Sequence, residues 1–429
     1  MSTTITPDTV APNAGGTDRA AADAPRSWKA PIILGLLGLV ALIPFALLVP
    51  ADKTTGVNVY GDPTPELVLP TMTTNLVLAA LMLVIAGIAT WFVVQRRRVP
   101  LWFYGVFGFL WIIALILWIG NGANVPLTWL LTSTVALATP LVFGSMAGIV
   151  AERAGVVNIA IEGQLLAGAF TGALVSSITG NAFIGLGAAM LAGALVSLLL
   201  AVFGITYWVE QVVVGVVINM IVIGLTSFFL SGFMSADRAT FNSPVKYPRW
   251  NVPGLSEIPV IGPLLFQHTL ITYLMFLAVP LLTFLLFRSK WGLRTRAVGE
   301  HPKAADTVGV NVVATRYRAV ILSGLIAGAG GTFYTLGEVG AFSHNITSGH
   351  GYIALAAVIF GRWHPVYAAG AALLFGFANA ISALAGQVGA QVSSDLMRMV
   401  PYVVTLLAVI GLVGQSRAPA ASGKPYFKS

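Results

Sequence analysis

Long apolar runs, each of a length that can cross a bilayer, dominate this sequence from residue 31 onward. A hydrocarbon core of about 30 Å needs about 20 apolar residues in a helix. Runs of this kind lie at 31–50, 72–94, 101–119, 128–150, 182–204, 212–232, 267–287, 319–336, 366–386 and 398–414. Because lipid offers the backbone no hydrogen-bond partners, such runs are typical of membrane-spanning helices. The sequence therefore predicts an all-α integral membrane protein.

Two further apolar segments, at 163–180 and 351–361, are shorter or more polar. Both are rich in glycine and alanine, which allow helices to pack closely inside a membrane protein. We predict that they form short, broken or re-entrant helices enclosed by protein. The expected fold is a polytopic helical bundle of about 10–12 transmembrane segments, including short or broken helices.

The charged residues are few and unevenly placed. Only 9% of the residues are charged, against about 25% in soluble domains. The formal net charge is +8, and most of the 23 lysines and arginines lie beside apolar runs. This placement favours the positive-inside rule, and we do not expect a nucleic-acid partner. With the N-terminus inside, successive crossings leave most basic residues inside, so we predict an N-in, C-in topology.

The two ends of the chain lack long apolar runs. Residues 1–30 are rich in Ala, Thr, Pro, Asp and Gly, a composition typical of a disordered cytoplasmic N-terminal tail. The run that follows is long enough to span, so we do not expect a cleaved signal peptide. Residues 415–429 form the expected cytoplasmic C-terminal tail.

The sequence lacks the motifs that usually carry catalysis or bind metals and nucleotides. No lysine follows the G-x-x-x-x-G-K-[ST] pattern that holds nucleotide phosphates. The chain has no cysteine and no G-x-S-x-G elbow, and no carboxylate accompanies His344 and His350 at ligand spacing. We therefore expect no catalytic residue, no metal site and no cofactor of its own. The chain is not expected to be an enzyme.

The polar stretch 288–318 is longer than a simple connection between spans requires. It reads "RSKWGLRTRAVGEHPKAADTVGVNVVATRYR" and combines many basic residues with Glu300 and Asp306. Pro302 suits a first helical turn and Gly309 suits a helix end, so "HPKAADTVGV" predicts a short exposed helix. The stretch is either an ordinary basic cytoplasmic loop or a docking surface for a soluble partner.

Four stretches together resemble one family of transport proteins. They are "ERAGVVNIAIEGQLLAGAF" (152–170), "EQVVVGVVINMIVIGLTSF" (210–228), "GLRTRAVGEHPKAADTVGVNV" (292–312) and "SGHGYIALAAVIFGRWHP" (348–365). In this order they resemble the permease subunits of bacterial ABC importers. The similarity is to the branched-chain amino acid/ribose-type permease superfamily, in its nucleoside and simple-sugar branch. It covers residues 128–414 as a permease transmembrane domain and leaves 31–127 as additional N-terminal transmembrane spans.

The resemblance implies a transport function with several partners. The chain would form the translocation pathway for nucleosides in a bacterial cell membrane, while a separate ATP-binding subunit binds ATP and Mg²⁺. A second homologous permease, giving a heterodimer, and an extracellular substrate-binding lipoprotein are the other implied partners. The alternatives are a permease for simple sugars such as ribose or for branched-chain amino acids. An autonomous secondary transporter is a further alternative outside this family.

The resemblance also implies that the stretch 288–318 carries the coupling helix that contacts the ATP-binding subunit. The residues expected on this coupling surface are Arg294, Arg296, Glu300, Pro302, Lys303, Asp306 and Gly309. An exposed charge pair contributes only about 0–1 kcal/mol. The shape of the helix should therefore matter more than any single pair.

Polar and aromatic side chains at membrane depth are candidates for a substrate pathway. A nucleoside needs hydrogen-bond partners for its ribose and base, and flat surfaces for stacking. The candidates are Asn158, Gln164, Gln211, Asn219, Tyr334, Tyr352, Phe360 and Asn379. The amides have an alternative role in hydrogen bonding between helices, and the aromatic residues have one in packing.

The stretch "GVVNIAIEGQ" (155–164) contains a carboxylate, Glu162, among apolar residues. An acid at the bilayer centre is unfavourable by about 2.5–3.5 kcal/mol on insertion scales. Glu162 either lines the pathway and accepts hydrogen bonds from a ribose, or pairs with Arg153 near the inner surface. We favour the second interpretation, which predicts an inner gate formed by Glu152, Arg153 and Glu162.

Overall fold

The computed structural model describes residues 28–59, 67–97, 99–389 and 417–427. Within these ranges, ten helices are long and apolar enough to cross a membrane, which confirms the predicted all-α polytopic fold. The predicted span at 398–414 and nearly all of the predicted N-terminal tail lie outside the described residues. The described chain divides into two compact units, one built mainly from residues up to Val125 and the other mainly from Pro126–Gln387 and the C-terminal segment.

Three helices and a small sheet form the first unit. Its elements are α1 (Lys29–Leu42), β1 (Thr54–Asn58), β2 (Leu67–Pro70), α2 (Thr71–Val94), α3 (Leu101–Ile119) and β3 (Asn124–Pro126). The sheet has the strand order β2-β1-β3. The buried Asn75 on α2 donates its Nδ2 to the carbonyl oxygens of Phe45 at 2.7 Å and Ala114 at 3.3 Å. One side-chain amide thus ties α2 to α3 and to the turn that follows α1.

The second unit contains the other helices and a two-stranded sheet. Its elements are α4 (Leu127–Glu152), α5 (Ile161–Thr179), α6 (Ala182–Ala201), α7 (Gln211–Phe229), α8 (Arg238–Phe241), β4 (Arg249–Asn251), α9 (Ile261–Phe266), β5 (Gln267–Thr269), α10 (Leu270–Arg288), α11 (Lys290–Glu300), α12 (Pro302–Thr307), α13 (Val312–Thr332), α14 (His350–Phe360) and α15 (Pro365–Gln387). Wider π-helical turns extend four helices of the chain, α1, α6, α7 and α13, by Ile43–Leu47, Val202–Thr206, Leu230–Met234 and Phe333–Val339. Most residues of α4, α5 and α13 are buried, so these helices form the centre of the unit.

Glycines bring α5, α6 and α13 into backbone contact. A Cβ atom added at Gly168 would lie 2.3 Å from the carbonyl oxygen of Gly328, and one added at Gly193 would lie 2.2 Å from that of Gly324. Close approaches of this kind are typical of membrane helix pairs, where small residues take the place of an apolar side-chain core. The three helices therefore pack backbone to backbone at these glycines.

Two helix breaks interrupt the second unit. The first break, 153–160, separates α4 from α5, and the second break, 340–349, separates the extended α13 from α14. The segment predicted at 163–180 is enclosed by protein as expected, but it is not short, because α5 has 19 residues. The short helix predicted at 351–361 is confirmed: α14 has 11 residues. That length corresponds to about 16 Å, roughly half of a bilayer core.

Candidate substrate pathway and coupling surface

The carboxylate of Glu162 lies at the N-terminus of α14. Its Oε1 accepts hydrogen bonds from the Thr347 hydroxyl at 2.5 Å and the Gly349 amide at 2.8 Å. Its Oε2 accepts one from the Gly351 amide at 2.6 Å. Glu162 and Thr347 are both buried. The free amides at a helix N-terminus carry partial positive charge, so this arrangement stabilises a carboxylate that is shielded from water.

The predicted pairing of Glu162 with Arg153 is therefore wrong. The helix α14 begins beside Glu162 and is followed by Trp363, whose carbonyl oxygen accepts a hydrogen bond from Nε of Arg153 at 3.0 Å. Glu162 and Arg153 thus lie near opposite ends of a helix about 16 Å long. The two residues are close in sequence but separated in space, because the first break runs beside α14 from one end to the other.

Glu152 and Arg153 come together on the side chain and backbone of Trp363. The Trp363 indole Nε1 donates to Oε2 of Glu152, beside the bond that Arg153 donates to the Trp363 carbonyl. The Arg153 guanidinium also lies over the Phe287 ring, 5.5 Å from its centroid. Burial lowers the pKa of Arg153, and the negative charge of Glu300 opposes that shift. Two members of the predicted inner gate therefore hold the C-terminal end of α14, and their gating role stays a prediction.

Asn158 and Gln164 form a closed network inside the second unit. Their side-chain amides exchange two hydrogen bonds of 3.1 Å. Asn158 also donates to the Ser323 hydroxyl and Gln164 to the Ser197 hydroxyl, each at 2.8 Å. All four side chains are buried. The network joins the first break to α6 and α13, so these amides bond helices together, which was the alternative to a pathway role.

Asn219 on α7 connects the first break and the start of α5 to α14. Its Oδ1 accepts from the Gly163 amide at 2.8 Å, and its Nδ2 donates to a carbonyl of the first break and to the Tyr352 hydroxyl at 3.1 Å. Gln211 similarly accepts a hydrogen bond from a backbone amide of the first break at 2.7 Å. Asn219 and Gln211 are buried, whereas Tyr352 is 46% exposed. Tyr352 is thus the most open of the predicted pathway residues.

The remaining predicted pathway residues are more enclosed. The Tyr334 hydroxyl shares a hydrogen bond of 2.8 Å with Nδ1 of His350, and the two rings stack with centroids 5.7 Å apart. Phe360 packs against Phe375 at a centroid distance of 5.7 Å. The Nδ2 of Asn379 is buried and has no hydrogen-bond partner among the described residues. Tyr334 and Phe360 are thus held by neighbouring rings, and no bond among the described residues engages Nδ2 of Asn379.

Three polar residues in or beside the second break belong to the site but were not predicted for it. Thr347 bonds to Glu162 and His350 to Tyr334, and Nδ1 of His344 bonds to the Ser227 hydroxyl at 2.8 Å. The signal in the sequence was the polar run "SHNITSGHG" beside a short apolar segment. That run is typical of an ordinary loop unless its position between two membrane helices is known.

The stretch 288–318, here called the coupling loop, contains the helices α11 and α12. The Ser289 hydroxyl accepts a hydrogen bond from the Gly292 amide at 3.0 Å and caps α11. Pro302 begins α12, and Gly309 follows it with a φ of +83°, which confirms the predicted short helix. A Cβ atom at Gly299 would lie 2.2 Å from the carbonyl oxygen of Arg153, so α11 packs directly on the first break.

The predicted coupling residues differ in exposure. The exposed ones are Arg294, Glu300, Lys303 and Gly309, and the partly buried ones are Arg296, Pro302 and Asp306. The guanidinium of Arg296 lies over the Phe287 ring, 5.0 Å from its centroid, which withdraws it in part from the surface. Two apolar side chains that were not predicted, Leu293 and Val308, are 62% and 78% exposed and add apolar area to the same surface.

The family described as the permease component of a branched-chain amino acid transport system matches residues 130–409. The chain belongs to this family. The permease is therefore a multi-pass membrane protein and a transport subunit rather than an enzyme. The matched range begins within α4 and includes both helix breaks and the coupling loop.

The permease is also similar to named transporter subunits. It is 40% identical over 311 residues to a guanosine ABC transporter permease protein of Bacillus subtilis, covering 70% of this chain and 97% of the relative. It is 38% identical over 301 residues to a nucleoside ABC transporter permease protein of Lactococcus lactis, covering 68% and 94%. A putative glucose ABC transporter permease protein of Haloferax volcanii is 38% identical over 256 residues, covering 59% and 76%. No solved structure matches the permease.

Proposed function

We propose that the permease forms the translocation pathway for nucleosides in an ATP-driven importer. The observation that carries this proposal is the similarity over nearly the full length of two relatives named for guanosine or nucleoside transport. The relative named for glucose is matched over a smaller share of its length. Simple sugars are therefore the second candidate, and branched-chain amino acids the third.

The charge balance at the start of α14 supports an uncharged substrate. An open helix N-terminus attracts anions. Here the carboxylate of Glu162 already occupies that position and accepts three hydrogen bonds from the second break and α14. A phosphate group approaching the N-terminus of α14 would be repelled by the carboxylate of Glu162, which already neutralises the partial positive charge there. A nucleoside or a sugar fits this balance better than a nucleotide does.

The substrate would contact the exposed side of the second break and α14. Tyr352, His344 and Ser348 are exposed there. The phenol ring of Tyr352 offers a flat face for a base, while hydroxyl and imidazole groups suit the hydroxyls of a ribose. Asn158 and Gln164, whose amides bond to other side chains, would support this wall without touching substrate.

Energy would come from a separate ATP-binding subunit that binds ATP and Mg²⁺ and contacts α11 and α12 from the cytoplasm. A second homologous permease would complete the pathway as a heterodimer, and an extracellular lipoprotein would deliver the substrate. This arrangement requires the N-in, C-in topology in a bacterial cell membrane, with the basic stretch 288–318 inside. Movement of α11 and α12 would shift the spans between outward-open and inward-open states, which substrate and ATP stabilise differently.

The substrate class is tested with the partner lipoprotein and the reconstituted transporter. Calorimetry measures binding of guanosine, adenosine, ribose, glucose and leucine to the lipoprotein, and vesicle uptake is measured for each. We expect the lipoprotein to bind the nucleosides and the vesicles to take them up. Guanosine monophosphate is the matched charged control, and we expect neither binding nor uptake of it. A clear response to a sugar without a response to nucleosides would overturn the proposed substrate.

The coupling role is tested by replacing residues 299–309 with a Gly/Ser linker of equal length that keeps Gly299. We expect normal membrane insertion but no uptake and no stimulation of ATP hydrolysis by the loaded lipoprotein. The control is Lys303→Ala, which removes one exposed charge and should change stimulation little, because such a charge contributes about 0–1 kcal/mol. Stimulation that persists in the linker variant would show that the coupling assignment is wrong.

A further inference from the structure

The C-terminal segment 417–427, here called the C-terminal strap, is bonded to two separate parts of the second unit. The Ala421 amide donates to the carbonyl oxygen of Gly299 in α11 at 2.9 Å. The Gly423 amide donates to the carbonyl oxygen of Gly155 in the first break at 3.3 Å. The sequence predicted a tail here, whereas the described part of that tail is an ordered bridge between the coupling surface and the first break.

The strap also reaches α12 and α13. Tyr426 is buried in a cluster with Val298 of α11, Ala305 of α12 and Val312 of α13. Burial and the nearby carboxylate of Asp306 on α12 raise the pKa of the Tyr426 hydroxyl. One aromatic side chain of the strap therefore packs against α11, α12 and the start of α13.

A buried arginine fixes the strap to α13. Arg316 is 1% exposed, and its Nη1 donates to the carbonyl oxygen of Lys424 at 3.0 Å. Its Nε and Nη2 are buried without a hydrogen-bond partner among the described residues. A buried cation is unfavourable when acceptors are scarce, so the acceptor that the strap provides stabilises this arrangement.

These contacts form a continuous route from the coupling surface to the buried polar residues Asn158 and Glu162. The strap and α11 both pack on the part of the first break that contains Arg153 and Gly155. The same break continues directly to Asn158 and then to Glu162 at the start of α5. A shift of α11 relative to the break would have to disrupt the backbone bonds of the strap.

We propose that the C-terminal strap is a positioning element that ties α11 and α12 to the first break. Movement of the coupling surface is thereby transmitted to the buried polar residues Asn158 and Glu162. The strap makes α11, α12 and the first break move together rather than separately. This inference rests on the proposed coupling role of residues 288–318.

The first test compares Tyr426→Ala with Lys424→Ala in the assembled transporter. The Lys424 side chain is exposed and only its carbonyl oxygen is used, so Lys424→Ala is a matched control within the strap. For Tyr426→Ala we expect about a tenfold loss of lipoprotein-stimulated ATP hydrolysis, a size typical of a lost coupling between sites. Unstimulated hydrolysis and copurification of the ATP-binding subunit should be unchanged. Tyr426→Phe fills the same space and should restore most of the stimulation.

Two results of this test would overturn the proposal. One is full stimulation in Tyr426→Ala. The other is loss of the ATP-binding subunit from the purified complex. The strap would then hold that subunit in place and would not link the coupling surface to Asn158 and Glu162. Should Tyr426→Ala fail to reach the membrane, Tyr426→Phe carries the test, because it removes only the hydroxyl beside Asp306. Stimulation in Tyr426→Phe should then lie measurably below that of Lys424→Ala, and equal values would overturn the proposal.

A second test follows the strap directly. The chain has no cysteine, so Lys424→Cys gives a single site for a nitroxide spin label. A strap that stays attached predicts the same restricted label mobility with and without ATP. Release of the strap in the ATP-bound state would overturn the proposal. The linker replacement of 299–309 separates the two proposals: if it abolishes stimulation while the strap variants retain it, only the strap proposal fails.

Discussion

The two helix breaks of the permease, 153–160 and 340–349, use their polar residues in opposite ways. In the first break Asn158 is buried, and both polar atoms of its side chain are bonded to other side chains. In the second break His344 and Ser348 are exposed, and Asn345 and Ser348 have positive φ values of 48° and 45°. Unfavourable backbone conformations beside exposed polar groups are more typical of binding sites than of scaffolds.

Under the proposed function, the first break would support the fold and the second break would contact the substrate. Glu162 is linked to both breaks. It follows the first break in sequence, and its carboxylate accepts the amides of Gly349, at the end of the second break, and of Gly351 in α14. Changes in the first break should therefore lower stability, and changes on the open side of α14 should alter transport kinetics. A change at Glu162 should do both.

The largest effect is expected for Glu162→Gln. The new amide nitrogen cannot accept a hydrogen bond, so at least one buried donor among Thr347, Gly349 and Gly351 loses its acceptor. We expect the free energy of unfolding to fall by about 3 kcal/mol, together with loss of uptake. Unfolding is followed by tryptophan fluorescence in detergent, and uptake is measured in vesicles.

Glu210→Gln is the matched control for that change. Glu210 also accepts two backbone amides, those of Val212 and Val213, at the start of a helix, but it is exposed. Water can replace the lost acceptor there, so we expect a decrease below about 1 kcal/mol and normal uptake. Equal effects at Glu162 and Glu210 would contradict the special role of the buried site.

An intermediate effect is expected for Gly351→Ala. A Cβ atom there would lie 2.5 Å from the backbone nitrogen and Cα of Glu162, so α14 and the start of α5 would have to move apart. Overpacking of this kind destabilises by about 1–3 kcal/mol. The control is Gly224→Ala on α7, where a Cβ atom meets no neighbour within 4 Å. Thermal unfolding of the two variants should differ clearly, and a similar melting temperature would show that the close approach is not needed.

The smallest effects distinguish the two breaks most directly. Asn158→Ala should lower the free energy of unfolding by about 1 kcal/mol, because it removes hydrogen bonds between helices, and should leave the KM for uptake unchanged. Tyr352→Phe should leave stability nearly unchanged and raise the KM for nucleoside uptake about threefold, because it removes one partly exposed hydroxyl. The reverse pattern, with KM altered only in Asn158→Ala, would exchange the roles of the two breaks.

Local features of this fold were predictable from the sequence. The runs at 72–94, 128–150 and 212–232 match α2, α4 and α7 closely, because apolar length is a property of neighbouring residues. The short helix α12 was predictable for the same reason, since Pro302 and Gly309 fix its two ends.

The partners of the polar residues were not predictable. Glu162 bonds to Thr347 across 185 positions, and Glu152 bonds to Trp363 across 211. Their positions follow from how several helices pack, and apolar periodicity carries no such information. Tyr426 was missed for a related reason: an aromatic residue in a polar tail gives no sign of the pocket that receives it.

The glycine contacts among α5, α6 and α13 have a mechanical consequence. Where Gly168 meets Gly328 and Gly193 meets Gly324, backbone touches backbone, and the side chain nearest to Gly324 is the short one of Ser197, so little can change rotamer to let one helix slide past another. The three helices should therefore move as one rigid block. Under the proposed transport cycle, opening and closing of the pathway would be a hinge motion about this block, with the second break, where the chain leaves regular structure, serving as its joint.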